Sequence, residues 1–569
     1  MKTNCTWEHP YTPAKPFSKR TAYFSMEFGI DTALKIYSGG LGYLAGSHMR
    51  SAYELKQNMI GIGMLWKFGY FDQVRDQNSS MKVLFRERYY TFLQETDMVF
   101  PVRIHGQDVK VQAWYLAPEV FGTVPMYLLT TDRDIYNDYL SCTITHHLYD
   151  QNAAARIAQS IVLGVGGAKV VEALGGADMY HMNEAHALPL AFHLYKELGD
   201  VEKVREKLVF TTHTPVKAGN EERDILLLEK MDFFAGVPLK TVREITNHTD
   251  TDNFGYTPAA LTLSGNANGV SQLHAEVSNK MWKDVKDRPE IIGITNAQNQ
   301  HYWQDKHFKT ALDKDDNEAL RDRKREMKEE LFKIVADQTG NLFDPDVLTI
   351  VWARRFAGYK RADLILRDHT RFYDLLDRVN YPVQIIWAGK PYPFDDYAVD
   401  LFNRLVQLTR LSHKATILTG YEMNLSASLK KGSDIWLNTP RRPMEASGTS
   451  GMTAAMNGSV NFSVNDGWIP EFAKHGHNCF VLPEADENQP AHIQDEHDYL
   501  HLMRILTSEI VPMYYDQPDK WMEVVKNSMR EVVPFFDSGR MATEYYDLLY
   551  NQQGPRVNGV AVKQGRARL

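Results

Sequence analysis

The chain reads as an α/β protein of two domains facing across a cleft, and three observations carry that reading. Short apolar runs alternate with helical patterns along most of its length. In the second half the runs are continuously apolar, as strands of a parallel sheet buried on both faces are. Between the halves lies DQTGNLFDPD (337–346), where Gly340 and Pro345 interrupt the periodicity before Val347 opens a new strand. The expected division is an N-terminal domain over 1–345, a C-terminal domain over 346–550 whose last helices pack back on the first, and a basic tail over 551–569.

In the first half the strand runs are AYFSMEF (22–28), MIGIGMLW (59–66), LVFTT (208–212) and EIIGIT (290–295), with helices expected over DQNAAARIAQSIV (150–162) and 318–338. The second half offers VLTIVW (347–352), VQIIWA (383–388), ATIL (415–418), DIWL (434–437) and SVNFSV (459–464). Each stops at a polar or glycine-bearing loop: ARRFAGYKR, GKPYP, TGYEMN, NTPRRPMEASGTSG and NDGW. Ligands of such sheets sit at the carboxyl ends of the strands, so these loops are where chemistry is expected.

Composition narrows the partners. With 64 basic against 72 acidic residues the formal charge is −8, so no global field draws nucleic acid or an anionic membrane. The polar start and the absence of an aliphatic span predict no membrane segment. Three cysteines, Cys5, Cys142 and Cys479, show no CxxC spacing, and a reduced cytoplasm is the expected setting. Four basic residues and no acid in the final 551–569 fit a frayed tail.

Three segments carry candidate chemistry. Ser38-Gly39-Gly40-Leu41-Gly42 precedes the helical run from Tyr43, so its backbone amides are placed to cradle an oxyanion, although a packing turn has the same sequence. Arg354, Arg355, Lys360 and Arg361 follow VLTIVW and are suited to phosphate, or to a solvated face. The segment 441–451 brings Glu445, Ser447, Gly448 and Thr449 to the start of the small-residue run MTAAMNG, where a carboxylate can accept sugar hydroxyls and free N–H groups can meet an anion. His213 in FTTHTPV is a site histidine or a structural one. HMNEAH lacks HExxH spacing, so no metal is expected.

With these segments in order, the chain resembles the α-glucan phosphorylases (glycogen, starch, maltodextrin). AYFSMEFGID, IYSGGLGYLAG, HMNEAHA, VFTTHTPVKAGN, NGVSQLHAEVSNKMW, RRFAGYKRA, IWAGK, MNLSASLKKGSDIWLNTPRRPMEASGTSGM and NFSVNDGW all look like family motifs between Ala22 and Trp468. The resemblance implies a GT-B architecture, two Rossmann-like domains with the site between them. It implies Gly39 and Gly40 over the substrate phosphate, Arg355 and Lys360 as its cations, and Asn296, Glu445, Ser447 and Gly448 on the glucosyl group; Thr449 is read as substrate-binding beside them. His213 falls beside the sugar.

One position breaks the pattern. The family's SGTSGM is followed by a lysine that holds pyridoxal phosphate as an imine, and here that position is Thr453. A hydroxyl forms no imine, so covalently bound pyridoxal phosphate is not expected there. Related glycosyltransferases place a nucleotide diphosphate where the family stacks two phosphates, with a ribose ligand eight residues after the sugar-binding glutamate, and Thr453 lies eight after Glu445. The leading expectation is therefore a retaining glycosyltransferase using a nucleotide sugar. The alternatives are an α-glucan phosphorylase holding the cofactor noncovalently, with a sugar phosphate as ligand, or a catalytically silent binding protein. The retained cations are read as favouring a surviving anionic ligand, because unpaired they would repel one another. Ser47, Lys217, Asn220, Ala297, Gln298 and Asn299 depart from the family's motifs, so the acceptor is read as a carbohydrate or another small molecule; homo-oligomerisation is left open.

Overall fold

The computed structural model describes residues 6–249 and 251–552; the tail from 553 onward and Cys5 lie outside them. Two sheets organise the chain. The first has nine strands, in spatial order those starting at Ile291, Asn266, Leu208, Met179, Thr21, Met59, Met126, Gln107 and Gln94. Seven run parallel, and Gln107–Leu116 and Gln94–Ile104 add an antiparallel edge. The second has six parallel strands, starting at Ala415, Val383, Leu348, Ile435, Val460 and Phe480. Leu348–Ala353 and Val383–Ala388 are buried at every position, as helices on both faces of a parallel sheet require. This is a GT-B architecture.

The 23-residue helix Asn317–Thr339 leads from the first unit to the second and ends at Gly340, whose φ of +76° lets its N–H return to the Ala336 carbonyl. Near the C-terminus the chain crosses back. Met541, Tyr545, Tyr546, Leu549 and Tyr550 are buried in the hydrophobic core of the first sheet.

The expectation of no apolar span misses one segment. Ala153–Ala173 is long and apolar enough to cross a membrane, with a hydropathy of 1.3, but 78% of it is buried inside the first unit. Its glycines explain how it fits: a Cβ on Gly164 would lie 2.6 Å from the Leu190 nitrogen, and one on Gly167 2.6 Å from the Phe24 ring. The antiparallel edge strands also escape the sequence reading, because the burial of Gln94–Ile104 alternates irregularly and a register shift falls between Glu95 and Val99.

Candidate functional site

A cleft of about 870 Å³ is walled by loops from the carboxyl ends of strands in both sheets. Gly39, Gly40, His213, Asn296, Arg355, Lys360, Glu445, Ser447, Gly448, Thr449 and Thr453 all line it, although more than 400 residues of chain separate the first from the last.

The glycine loop differs from its expected state. The Ser38 N–H (2.6 Å), the Gly39 N–H (3.1 Å) and the Ser38 hydroxyl all donate to the Glu27 carboxylate, which also accepts from the Tyr149 hydroxyl at 2.7 Å. Two amides assigned to an incoming oxyanion are therefore held by an internal one. The amides of Gly40 and Leu41 remain, at the start of the helix Gly40–Glu54. A Cβ on Gly39 or Gly40 would meet nothing within 4 Å, so the missing side chains leave the loop open to close approach by a ligand.

The cation loop also differs. Lys360 Nζ lies 2.6 Å from Glu445 Oε2 and Arg354 Nη1 lies 3.5 Å from it. Burial pushes the Glu445 carboxyl up, but Lys360, Arg354 and Arg355 outweigh it and hold the group below the ordinary glutamate range. The cations thus have their anion within the protein, and their retention alone does not demand a bound phosphate. Arg355 is the exception. It is exposed, its neighbours are the hydroxyls of Tyr359, Tyr70 and Tyr149, and no carboxylate among the described residues lies within 4 Å of it.

Glu445 is aimed by the turn around it. Its N–H donates to Asp466 Oδ2 at 2.9 Å, and Asp466 Oδ1 accepts from Gly467 at 2.8 Å. Burial lifts the Asp466 carboxyl to about 7. Gly448 has φ +85°, and a Cβ there would lie 3.2 Å from Glu445 Cγ, so glycine is required where the loop folds over the carboxylate. Ser447 Oγ, Asn296 Oδ1 and Arg354 Nε are buried without hydrogen-bond partners. All three residues line the cleft. Polar atoms left without partners on one cavity are free to meet a ligand.

His213 is held from two sides. Its Nε2 pairs with Asn183 Oδ1 at 2.6 Å, and its N–H donates to the Glu184 carboxylate. Glu184 is a non-glycine residue at φ +71° whose carboxyl burial pushes up. Burial, with His274 and His186 nearby, lowers the His213 imidazole to about 3, so it is neutral at physiological pH. His181 of HMNEAH is engaged by Tyr550 and Thr211 and is buried away from the cleft.

Thr453 sits in the helix Ser450–Ala455, 1% exposed, with Oγ1 donating to the Ser450 carbonyl at 3.1 Å. The hydroxyl read as a ribose ligand thus donates within its own helix, while the residue lines the cleft. On the acceptor side two altered positions pair, with Ser47 Oγ donating to Gln298 Oε1 at 2.8 Å. Gln298 Nε2 is left buried and unpartnered. Asn220 and Gln298 line the cleft, whereas Lys217 is exposed outside it.

The sequence reading missed Glu27, Asn183, Glu184, Asp466 and Lys430. All five lie inside recognised motifs, but only their through-space partners reveal a role. Lys430, inside the motif MNLSASLKKGSD, is buried at the cleft wall, which its place in the motif does not reveal.

Fold and cleft together define a GT-B glycosyltransferase-like protein. The carbohydrate phosphorylase family pattern matches residues 290–509. An uncharacterised protein of Methanocaldococcus jannaschii is 47% identical over 94% of this chain and 100% of its own length. The maltodextrin phosphorylase of Thermococcus litoralis is 31% identical over 97% of the chain and 73% of its own length. A glycogen phosphorylase of Mycobacterium tuberculosis is 30% identical over 93% and 70%. The chain belongs to the carbohydrate phosphorylase family.

Proposed function

We propose that the protein is a retaining glycosyltransferase that takes a nucleotide sugar with a glucose-like glycosyl group and passes the sugar to a carbohydrate or other small hydroxyl acceptor, with no pyridoxal phosphate anchored at residue 453. The observation that carries this reading is the combination, in one cleft, of a cation without a carboxylate, Arg355, and a hydroxyl at 453. An anionic leaving group has a partner there. An aldehyde has none at that residue, so position 453 does not fit the family cofactor.

In this mechanism Arg355 meets the leaving phosphate, and Lys360 turns toward it from Glu445 as negative charge grows. Glu445, kept ionised by its cations, accepts hydroxyl hydrogen bonds from the sugar, and the free Ser447 and Asn296 atoms complete its ring of contacts. His213, being neutral and tied to Asn183, positions the sugar and is neither acid nor nucleophile. The departing phosphate oxygen takes the acceptor's proton on the face it leaves, which retains the α configuration.

The second reading is phosphorolysis of an α-glucan, favoured by the names of two relatives, a maltodextrin phosphorylase and a glycogen phosphorylase. Titration calorimetry with nucleotide sugars, followed by NMR of the first turnovers, separates the two. Binding and an α-linked product are expected. A β-linked product overturns the mechanism, and phosphate-dependent release of a sugar phosphate from glucan without any nucleotide-sugar turnover overturns the donor.

A further inference from the structure

Seven lysines and arginines line the cleft. Arg156 and Arg223 share Glu221, Arg354 and Lys360 share Glu445, and Lys390 pairs with Glu422. Two remain, Arg355 and Lys430, and no carboxylate among the described residues pairs with either. Lys430 lies on the helix Met423–Gly432, which packs against the short helix bearing Thr453, and it is 1% exposed. Its Nζ sits 4.0 Å from the centroid of the Trp303 ring, which is not part of the cleft lining, and 5.7 Å from that of Tyr43, which is. Tyr43 stands on the first turn of the helix Gly40–Glu54, its N–H returning to the Gly39 carbonyl at 3.0 Å. The unpartnered amides of Gly40 and Leu41 are therefore within one turn of the ring beside this amine.

The charged groups around Lys430 have other partners. On the helix Asn317–Thr339, Lys324 donates to the carbonyls of Lys431, Ser433 and Asn457, and Lys328 pairs with Asp434. Glu422 is taken by Lys390 and Lys35, Lys431 faces Asp305 at 3.8 Å, and His301, on the turn bearing Trp303, pairs with Glu54. The helix Ser450–Ala455 and the strand Leu348–Ala353 bring no titratable group, and burial keeps the Tyr43 phenol protonated. Burial alone, with no charge offsetting it, lowers the Lys430 amine to about 7, so about half of it is neutral at that pH. A buried cation without a partner is costly, and an anion entering the cleft restores both its proton and its pair.

We propose that Lys430 is an anion-binding residue of this cleft: with the Gly40 and Leu41 amides it meets the outer phosphate of the donor's diphosphate, while Arg355 meets the phosphate next to the sugar. The inference rests on the nucleotide-sugar reading and adds a proton to it. An amine that is half neutral in the free protein is fully protonated in the pair, so its Nζ lone pair takes a proton from solvent as the donor binds. Donor affinity falls as pH rises past 7, because more of the free amine has to be recharged.

Titration calorimetry of the full-length chain with ADP-glucose, UDP-glucose and GDP-glucose, in buffers of different ionisation enthalpy, reads that proton. The phosphates of these probes are esterified at both ends and do not titrate near neutral pH. The expected result is about half a proton taken up per donor bound at pH 7 and about nine-tenths at pH 8, with affinity falling roughly fivefold between them. Lys430→Met should abolish the uptake and weaken binding on the order of tenfold at pH 7. Lys430→Arg, permanently charged, should bind with no uptake and no loss of affinity from pH 7 to 8, and it decides the matter if Lys430→Met does not fold. Glucose 1-phosphate, with a single phosphate, should bind parent and Lys430→Met alike, and an equal loss for both ligands would overturn the outer-phosphate assignment. Asp466, beside Glu445, also titrates at about 7. Uptake that persists in both variants would therefore overturn the role of Lys430 and leave the donor standing, whereas no binding of any nucleotide sugar by the parent would overturn the donor and this inference with it.

Discussion

The cleft buries lysines in two ways. Lys360 is placed 2.6 Å from the Glu445 carboxylate and forms an ion pair with it. Lys430 is given aromatic rings and no carboxylate, and burial strips its proton near pH 7. The two side chains are chemically identical and line the same cavity. What differs is whether a loop from elsewhere in the chain delivers an anion, so a lysine in this site is held in an ion pair or left to the desolvation of its burial according to its neighbour.

Glu445→Gln is the strongest way to break the contrast, because it leaves Lys360 and Arg354 buried without their carboxylate. Removing one partner of a buried pair costs about 3–5 kcal/mol, read as a lowered denaturant midpoint, and transfer should fall with it because the sugar loses its acceptor. An unchanged midpoint would show that the pair is not worth what its geometry suggests.

Lys430→Met should have a comparable effect of opposite sign. Because the folded-state amine titrates near 7 and an unfolded lysine near 10.5, the unfolded chain binds more protons between those values, so stability rises with pH across that window. The methionine variant should therefore gain on the order of 3–5 kcal/mol below pH 7, a gain that fades as pH approaches 10.5. Melting curves from pH 6 to 10 check it. A gain that does not vary with pH would mean that packing, not protonation, is responsible.

Arg355→Ala sharpens the comparison from the side of the unpaired but charged cation. Loss of one preorganised partner of a leaving phosphate costs about 2.7–4 kcal/mol, roughly a hundred- to thousandfold in kcat, with little change in stability because no internal pair is broken. Equal turnover in parent and variant would remove Arg355 from the site. The smallest effect belongs to Thr453→Val. This variant loses only the bond to the Ser450 carbonyl, so about 0.5–1.5 kcal/mol of stability is expected to go. A large rise in KM for a nucleotide sugar would instead mark the hydroxyl's lone pairs as a donor contact.

Much of the architecture was legible in the chain itself. Runs such as VQIIWA and ATIL coincide with the observed strands because a sheet covered on both faces accepts only apolar side chains, and such runs need no partner to be recognised. The antiparallel edge and the buried Ala153–Ala173 run were harder to read, since half-exposed strands lose their periodicity at a bulge and hydropathy cannot tell a core helix from a spanning one. The candidate site residues were legible as motifs, and the structure gathers them in one cleft.

What the sequence determined by itself was which chemical groups are available: a hydroxyl and not an amine at 453, glycines at 39 and 40, cations after Leu348–Ala353. Only the tertiary structure decided their state. Glu27 takes the glycine-loop amides, Glu445 neutralises cations 85 and 91 residues away, and Lys430 is left with rings instead of a carboxylate. Protonation and pairing depend on distance and desolvation across space, and neither is written in the order of residues along the chain.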